Sequence, residues 1–150
     1  MIEEARDEVP QFNHGQTYSG HPISTAAAHA NLDIMENESL FERAANTGVY
    51  LQERLRKEFA DHPHVGEVRG LGLIAAIDVV TSRETRKPFD PARKLPLRIY
   101  RRLLTKGVIA RAAGVSGIAV CPPYIIERDE IDTIIGAMRE TLDEIMDEEA

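Results

Sequence analysis

Apolar residues recur at helical spacing in four segments of this chain, and each segment is predicted to form a helix. Residues 23–36 are rich in alanine and follow Pro22, which suits the first turn of a helix because its missing N–H costs little there. A second helix is predicted to begin at Ser39 and Glu42, which have the spacing of a capping box. Its apolar stripe is formed by Phe41, Ala44, Ala45, Gly48, Leu51, Leu55 and Phe59.

The other two helices lie in the second half of the chain. Pro96 is predicted to open the third helix, and Gly107 is predicted to close it. The last helix is predicted to begin near Glu127, with acidic residues covering the side opposite its apolar stripe. That stripe is formed by Ile131, Ile134, Ile135, Met138, Leu142 and Ile145.

Residues 65–80 are predicted to be a strand region. The unbroken apolar run of residues 73–77 is typical of a strand that is covered on both faces. Gly70 and Gly72, just ahead of this run, indicate a bulge or the close approach of another backbone.

Two shorter apolar stretches, residues 108–111 and 118–121, are also predicted to be strands. Residues 112–117 between them contain two glycines, so the two strands are expected to pair as an antiparallel hairpin. The predicted order is helix, helix, strand, helix, strand, strand, helix. This order indicates an α+β fold, with a small sheet and helices on one side of it.

Composition narrows the class of protein. The chain has 150 residues, 43% of them hydrophobic, which is enough for one modest domain with a core. A net charge of −7 argues against nucleic acid or an acidic membrane as a partner. The acidic N-terminus lacks the pattern of a signal peptide, and no apolar run reaches the length of a membrane span. Because a single cysteine excludes a disulfide within the chain, a cytoplasmic location is expected.

Thr17 is a candidate for anion binding, because it lies on a polar loop ahead of a predicted helix. Its hydroxyl could donate to a phosphate dianion together with neighbouring backbone N–H groups. Considered alone, Thr17 is better explained as an ordinary turn residue.

His14 and His21 flank the same loop. Hydrogen bonds that hold the turn are favoured over acid–base roles for them, and with no carboxylate nearby they are a poor metal signal.

Arg111 is a second candidate, because a guanidinium can bind a carboxylate through two parallel hydrogen bonds. It lies at a predicted strand end ahead of a loop, and the alternative is an ordinary surface arginine. Arg69 is interpreted as an ion-pairing or strand-end residue, and Cys121 as a buried, inert thiol. None of the lysines is expected to have the desolvated setting of a nucleophilic amine. They are Lys57, Lys87, Lys94 and Lys106.

Three segments, taken in order, resemble the class III aminotransferases, especially their omega-transaminase branch. The first is residues 12–22, with the sequence FNHGQTYSGHP, followed by the alanine-rich helix. The second is VRGLGLI at residues 68–74. The third is GVIAR at residues 107–111, followed by CPP at 121–123 and DEID at 129–132. Their order and spacing match the C-terminal end of that family over nearly the whole chain.

The resemblance implies part of a fold type I aminotransferase, in which a large domain binds pyridoxal 5′-phosphate and a small C-terminal domain follows. Residues 1–36 would be the end of the large domain, comprising a loop and the alanine-rich helix. Residues 37–150 would be the small domain, a small antiparallel sheet covered by helices. Because the family works as a dimer with active sites at the subunit interface, a homodimer of the intact protein is implied.

The resemblance also implies roles for the two candidate sites. Thr17 would contact the phosphate of pyridoxal 5′-phosphate across the dimer interface, and Gln16 would contribute its backbone N–H. Arg111 would bind the carboxylate of a keto acid and move aside for a bulky amine substituent. The family's Schiff-base lysine lies upstream of the first segment, as does the aspartate that pairs with the pyridine nitrogen. No lysine precedes His14 here, so the chain is expected to hold no catalytic residue of its own.

The implied reaction moves an amino group between an amine or amino acid and a keto acid such as pyruvate. The chain alone is expected to be inactive, and neither a metal, a nucleic acid nor a membrane is implied as a partner. The alternative hypothesis is a non-catalytic fragment or an association module.

Overall fold

The computed structural model describes residues 15–149, so the interpretation of His14 lies outside the described residues. Contacts between Cα atoms divide the chain into two compact units, with the boundary between Glu38 and Ser39. Within the described part, the first unit comprises a turn and one helix, whereas the strands and the other helices belong to the second unit.

Helix α1 of the first unit is Pro22–Asn37. Pro22 occupies its first turn, as predicted, and alanines at several interior positions favour helix formation. None of its residues is buried. Among residues 15–149, no helix is both long enough and apolar enough to cross a membrane.

The second unit is built on a four-stranded antiparallel sheet with the strand order β1-β2-β4-β3. The strands are β1 (Val65–Leu71), β2 (Ile74–Val79), β3 (Arg111–Ala113) and β4 (Gly117–Val120). The helices are α2 (Leu40–Glu58), α3 (Leu95–Thr105) and α4 (Arg128–Glu149), with a 3-10 turn at Pro91–Arg93. This arrangement confirms the predicted α+β class.

The sheet is covered by helices on one face. Ala75, Ile77 and Val79 of β2 are buried, whereas Ile74, on the opposite face, is 64% exposed. The expectation that residues 73–77 are covered on both faces was therefore wrong for this chain. An antiparallel sheet with helices on a single side leaves alternate residues of each strand outside the core.

Residues 65–80 form two strands instead of one. Leu71 pairs with Ile74, which leaves only Gly72 and Leu73 in the loop between β1 and β2. Gly72 has a φ of 54°, a left-handed conformation that glycine adopts at little cost and that tight hairpin loops require. The reversal of the chain therefore falls inside what the apolar pattern presents as one continuous segment.

Helix α2 begins differently from the prediction. Ser39 has a left-handed backbone with φ 49° and makes no capping hydrogen bond through its side chain, so the capping box does not form. An N-cap normally needs an extended backbone for its side chain to reach the first turn. The buried residue of this turn is Leu40, whereas Phe41, which was predicted to face the core, is 61% exposed.

Helix α2 packs against the β1–β2 hairpin through glycines. A Cβ on Gly48 would lie 2.5 Å from Cα of Gly72, and a Cβ on Gly70 would lie 2.3 Å from the carbonyl oxygen of Ile74. The close backbone approach predicted for Gly70 is thus confirmed. The side chain of Gln52 supplies a hydrogen-bond donor at this contact. Its Nε2 donates to the carbonyl oxygens of Gly72 at 3.0 Å and Ile74 at 3.1 Å.

Helices α3 and α4 are joined by an ion-pair ladder. It is formed by Arg98 and Arg102 of α3, and by Lys106 just after that helix, with Glu144 and Glu148 of α4. Arg98 contacts Glu148 at 2.8 Å, and Arg102 contacts Glu144 at 2.8 Å and Glu148 at 2.7 Å. Lys106 contacts Glu144 at 2.8 Å. The hydrogen bond from Lys106 lowers the pKa of Glu144, and the hydrogen bond from Arg102 lowers the pKa of Glu148.

His62 connects the end of α2 to helix α4. Its side chain is 1% exposed, and its Nδ1 accepts a hydrogen bond from the backbone N–H of His64 at 3.1 Å. The ring proton of the neutral form therefore lies on Nε2, which is 3.1 Å from Oδ1 of Asp143. Burial lowers the pKa of His62, against the opposing effect of the hydrogen bond to Asp143.

The glycine contact predicts opposite effects of alanine at two helical positions. Gly48→Ala should lower the free energy of unfolding by at least about 1 kcal/mol, because the new methyl group overlaps the hairpin backbone. Gly136→Ala on α4 is the matched control, since a Cβ there meets nothing within 4 Å. It should raise the free energy of unfolding by about 0.5–1 kcal/mol through helix propensity. Urea denaturation measures both values, and a Gly48→Ala variant as stable as the parent would contradict the packing.

The buried His62 predicts a pH dependence of stability. Because its folded-state pKa is lowered, the unfolded state binds more protons once the pH falls below about 6.5. The free energy of unfolding should therefore be highest above that pH and decline as the pH falls toward the folded-state pKa. His62→Gln keeps a donor and an acceptor without titrating, so it should flatten this decline in urea denaturation series at several pH values. Equal slopes in parent and variant would refute the role of His62.

Candidate functional site

The loop ahead of α1 forms a closed turn around Thr17. The backbone N–H of Ser19 donates to the carbonyl oxygen of Gln16 at 2.9 Å, and the N–H of Gln16 donates to Oγ of Ser19 at 2.9 Å. Thr17 and Tyr18 therefore occupy the tip of the turn, and both side chains are exposed. Gly20 follows with a φ of 74°, which directs the chain into the helix.

His21 holds the start of helix α1. Its Nδ1 accepts a hydrogen bond from the N–H of Ser24 at 3.4 Å, and Oγ1 of Thr25 donates to its carbonyl oxygen at 3.0 Å. The bond from Ser24 satisfies one of the N–H groups that the first turn of a helix leaves without partners. The interpretation of His21 as a residue that holds the turn is confirmed.

The turn offers donors that suit an anion. The Thr17 hydroxyl is exposed at its tip, ahead of the helix N-terminus with its partial positive charge. A phosphate dianion has three acceptor oxygens and is favoured where a hydroxyl and backbone N–H groups converge. Gln16 and Thr17 lie together in this turn of the first unit, whereas Arg111 belongs to the second unit.

Arg111 is the first residue of edge strand β3, where it pairs with Ala119 of β4. The two strands form the predicted antiparallel hairpin, but both are shifted, so that Arg111 begins a strand instead of ending one. The hairpin turns at Gly114, which has a φ of 62°. Gly117 packs so closely that a Cβ would lie 2.6 Å from the carbonyl oxygen of Ala113.

The guanidinium of Arg111 is free to bind a carboxylate. Its side chain is exposed, and among residues 15–149 no carboxylate lies within ion-pair distance of it. Arg69 behaves differently, because it pairs with Asp78 and approaches Glu67 at 3.7 Å. The hydrogen bond to Asp78 raises the pKa of Arg69. The interpretation of Arg69 as an ion-pairing residue is confirmed.

The structure also shows the surroundings of Lys106 and Cys121. Lys106 lies between Glu140 and Glu144, and its hydrogen bond to Glu144 raises its pKa, which is the opposite of what a nucleophilic amine needs. Cys121 is exposed, so the expectation of a buried thiol was wrong. Its position just after β4, beside two prolines, takes it out of the sheet. Within the described residues, no cluster of three metal-binding side chains occurs.

One group of three arginines carries no signal in the sequence. Arg56 on α2 and Arg83 and Arg86 in the loop after β2 line a common cleft. Because Arg56 is distant in sequence from Arg83 and Arg86, only the fold brings it to them.

Comparison with known proteins matches this chain to a family. Residues 3–142 match the family model described as Aminotransferase class-III. A diaminobutyrate–2-oxoglutarate transaminase of Halomonas elongata is 40% identical, with the match covering 98% of this chain and 32% of the relative. A putrescine–pyruvate aminotransferase of Pseudomonas aeruginosa is 38% identical, with coverages of 95% and 31%.

Solved structures agree with these relatives. The structure of a transaminase from directed evolution by ancestral reconstruction is 47% identical, with a TM-score of 0.87. The match covers 98% of this chain and 32% of that structure. The chain thus spans about a third of the length of the curated relatives it matches.

The contrast between two arginines gives a test of the site. Arg111→Gln should change the free energy of unfolding by less than about 0.5 kcal/mol, because the side chain is exposed and makes no ion pair within the described residues. Arg69→Gln removes a guanidinium paired with a half-buried carboxylate and should be the more destabilising of the two, by up to about 1 kcal/mol. Thermal or urea unfolding decides between them. A larger loss for Arg111→Gln would assign that residue a structural role.

Proposed function

The chain belongs to the class III aminotransferases, and from that premise we propose that it supplies two binding groups of a transaminase. The turn at Gln16 and Thr17 would bind the phosphate of the cofactor, and Arg111 would bind the carboxylate of the keto acid. The observation that supports the proposal most directly is the exposed Thr17 hydroxyl at the tip of a hydrogen-bonded turn ahead of a helix.

Members of this family depend on pyridoxal 5′-phosphate, which supplies an electron sink for amino-group transfer when it is bound. The exposed hydroxyl of Thr17 fits its phosphate. The backbone N–H of Gln16 donates to Oγ of Ser19 in this structure, and it would exchange that partner for a phosphate oxygen. In the proposed homodimer, this phosphate belongs to the partner subunit's cofactor, so the turn would complete the partner's site.

Arg111 would select substrates that carry a carboxylate. Its planar guanidinium can form two parallel hydrogen bonds with a carboxylate, a geometry that a lysine ammonium does not offer. The named acceptors of two relatives are 2-oxoglutarate and pyruvate, both of which are keto acids with a carboxylate beside the ketone. We therefore propose a keto acid such as pyruvate as the acceptor, with an amine or amino acid as the donor.

We also propose how the chain divides between the two domains of this family. Residues 1–36 would complete a large cofactor-binding domain, and residues 37–150 would form the small C-terminal domain. The lysine that holds the cofactor would come from the remainder of a longer polypeptide, since Lys57, Lys87 and Lys94 are exposed and Lys106 is ion-paired. The chain alone would then not turn over.

A chimera tests both binding roles. The C-terminal third of the reconstructed transaminase would be replaced by this chain, which matches it at 47% identity. In the chimera, Thr17→Ala should weaken cofactor binding by roughly tenfold or more, since a hydrogen bond to a charged group is lost. Arg111→Gln should raise KM for pyruvate to a similar degree, and it should not affect the half-reaction with an amine that lacks a carboxylate.

Conservative variants and the isolated chain serve as controls. Thr17→Ser keeps the hydroxyl and should retain most cofactor affinity. The isolated chain, treated with pyridoxal 5′-phosphate and borohydride, should show no stoichiometric adduct at a single lysine by intact mass. A folded chimera in which Thr17→Ala binds the cofactor as tightly as the parent would refute the phosphate role. Such an adduct on the isolated chain would refute the missing lysine.

A further inference from the structure

A cleft near the C-terminal end of α2 gathers three arginines. It has a volume of about 370 Å³ and is lined by Arg56 of α2 together with Arg83 and Arg86 of the loop after β2. Val68, which is only partly buried, gives it an apolar side. This space, called the arginine cleft below, is of the size that accommodates a small molecule.

The positive charge of the arginine cleft is not neutralised within the described chain. Among residues 15–149, none of its three arginines lies within ion-pair distance of a carboxylate. Arg54, which precedes Arg56 by two positions on α2, is paired with Asp132 at 2.8 Å. Within the described residues, Arg56 thus lacks the carboxylate partner that Arg54 has on the same helix.

The acceptors that the cleft arginines do have are neutral. Nη2 of Arg56 is 3.5 Å from Oε1 of Gln52, and Nη1 of Arg83 donates to the carbonyl oxygen of Phe59 at 3.1 Å. Glu67 is the one carboxylate among the lining residues. Its carboxylate lies 3.7 Å from the guanidinium of Arg69.

Hydrogen bonds within the protein hold the rim of the cleft in place. The backbone N–H of Arg83 donates to the carbonyl oxygen of Pro63 at 2.8 Å, and its side chain is held by Phe59 as described. That contact uses one of five guanidinium N–H groups, so the others remain available. The N–H of Arg86 donates to the carbonyl oxygen of Ser82 at 2.9 Å, which closes the loop and directs both arginines to the same rim.

We propose that the arginine cleft is a binding site for a small molecule with at least two negative charges on oxyanion groups. Each guanidinium can bind a phosphate or carboxylate group with parallel hydrogen bonds, and three of them around one space favour a multivalent anion over a monovalent one. The partly exposed side chain of Val68 gives the carbon skeleton of such a molecule an apolar contact. In a chain with a net charge of −7, this concentration of unpaired positive charge is a local exception.

The test is a titration of the full chain with inorganic pyrophosphate and, separately, with citrate, by isothermal titration calorimetry at constant ionic strength. Both anions should bind saturably, whereas chloride should not. The double variant Arg56→Gln/Arg86→Gln should weaken binding by about tenfold or more. Arg83 is left unchanged, because its contact with Phe59 also stabilises the end of α2.

The matched control is Arg101→Gln/Arg128→Gln, which removes the same charge from exposed arginines outside the cleft. It should leave the affinity within about twofold, apart from a small long-range effect. Amide chemical shifts in a pyrophosphate titration should change most at Ala60, Gly66 and Arg83. Equal weakening by the two double variants would overturn the proposal. So would non-saturable binding by the parent, or shift changes centred on another surface.

Discussion

The contact between helix α2 and the β1–β2 hairpin fixes how the helix lies on the sheet. A Cβ on Gly48 would meet the backbone of Gly72, so helix and hairpin approach to backbone distance, and a Cβ on Gly70 would meet the side chain of Gln52. Gln52 then binds two carbonyl oxygens that the hairpin turn exposes. Because a shift of the helix by one residue would place a side chain in this space, the contact fixes which face of α2 meets the core. Leu51 and Leu55 follow on that face and are fully buried.

Helix α4 combines a buried apolar stripe with polar residues on either side of it. Its buried stripe packs into the core, while Asp132 is bound by Tyr50 at 2.9 Å and by Arg54 at 2.8 Å. Asp143 contacts the buried His62 on the same helix flank. These polar contacts flank the buried stripe of α4. The candidate binding arginines lie on other elements of the fold. Arg111 lies on an edge strand, where a guanidinium stays accessible without a partner from the fold.

Helix positions followed from the sequence, because a repeat of 3.6 residues survives in any packing. Pro22 marked the start of α1, and the stripe of α4 was predicted almost residue by residue. The turn within residues 65–80 was missed, because an apolar run hides a reversal that needs only one left-handed glycine. Thr17 and Arg111 were weak candidates on their own chemistry, and the family motifs around them turned them into specific predictions. The arginine cleft had no sequence signal, because residues from α2 and a distant loop meet only after folding.

The ion-pair ladder between α3 and α4 responds to heat differently from the core beside it. The cost of removing water from charged groups falls as temperature rises, whereas burial of apolar groups gains little more per unit area. Shared carboxylates such as Glu148, which contacts two arginines, form a network instead of isolated pairs. On warming, the ion-pair ladder should therefore contribute a growing share of the free energy that stabilises the unit. Added salt acts in the opposite direction, since it screens the exposed part of the same network.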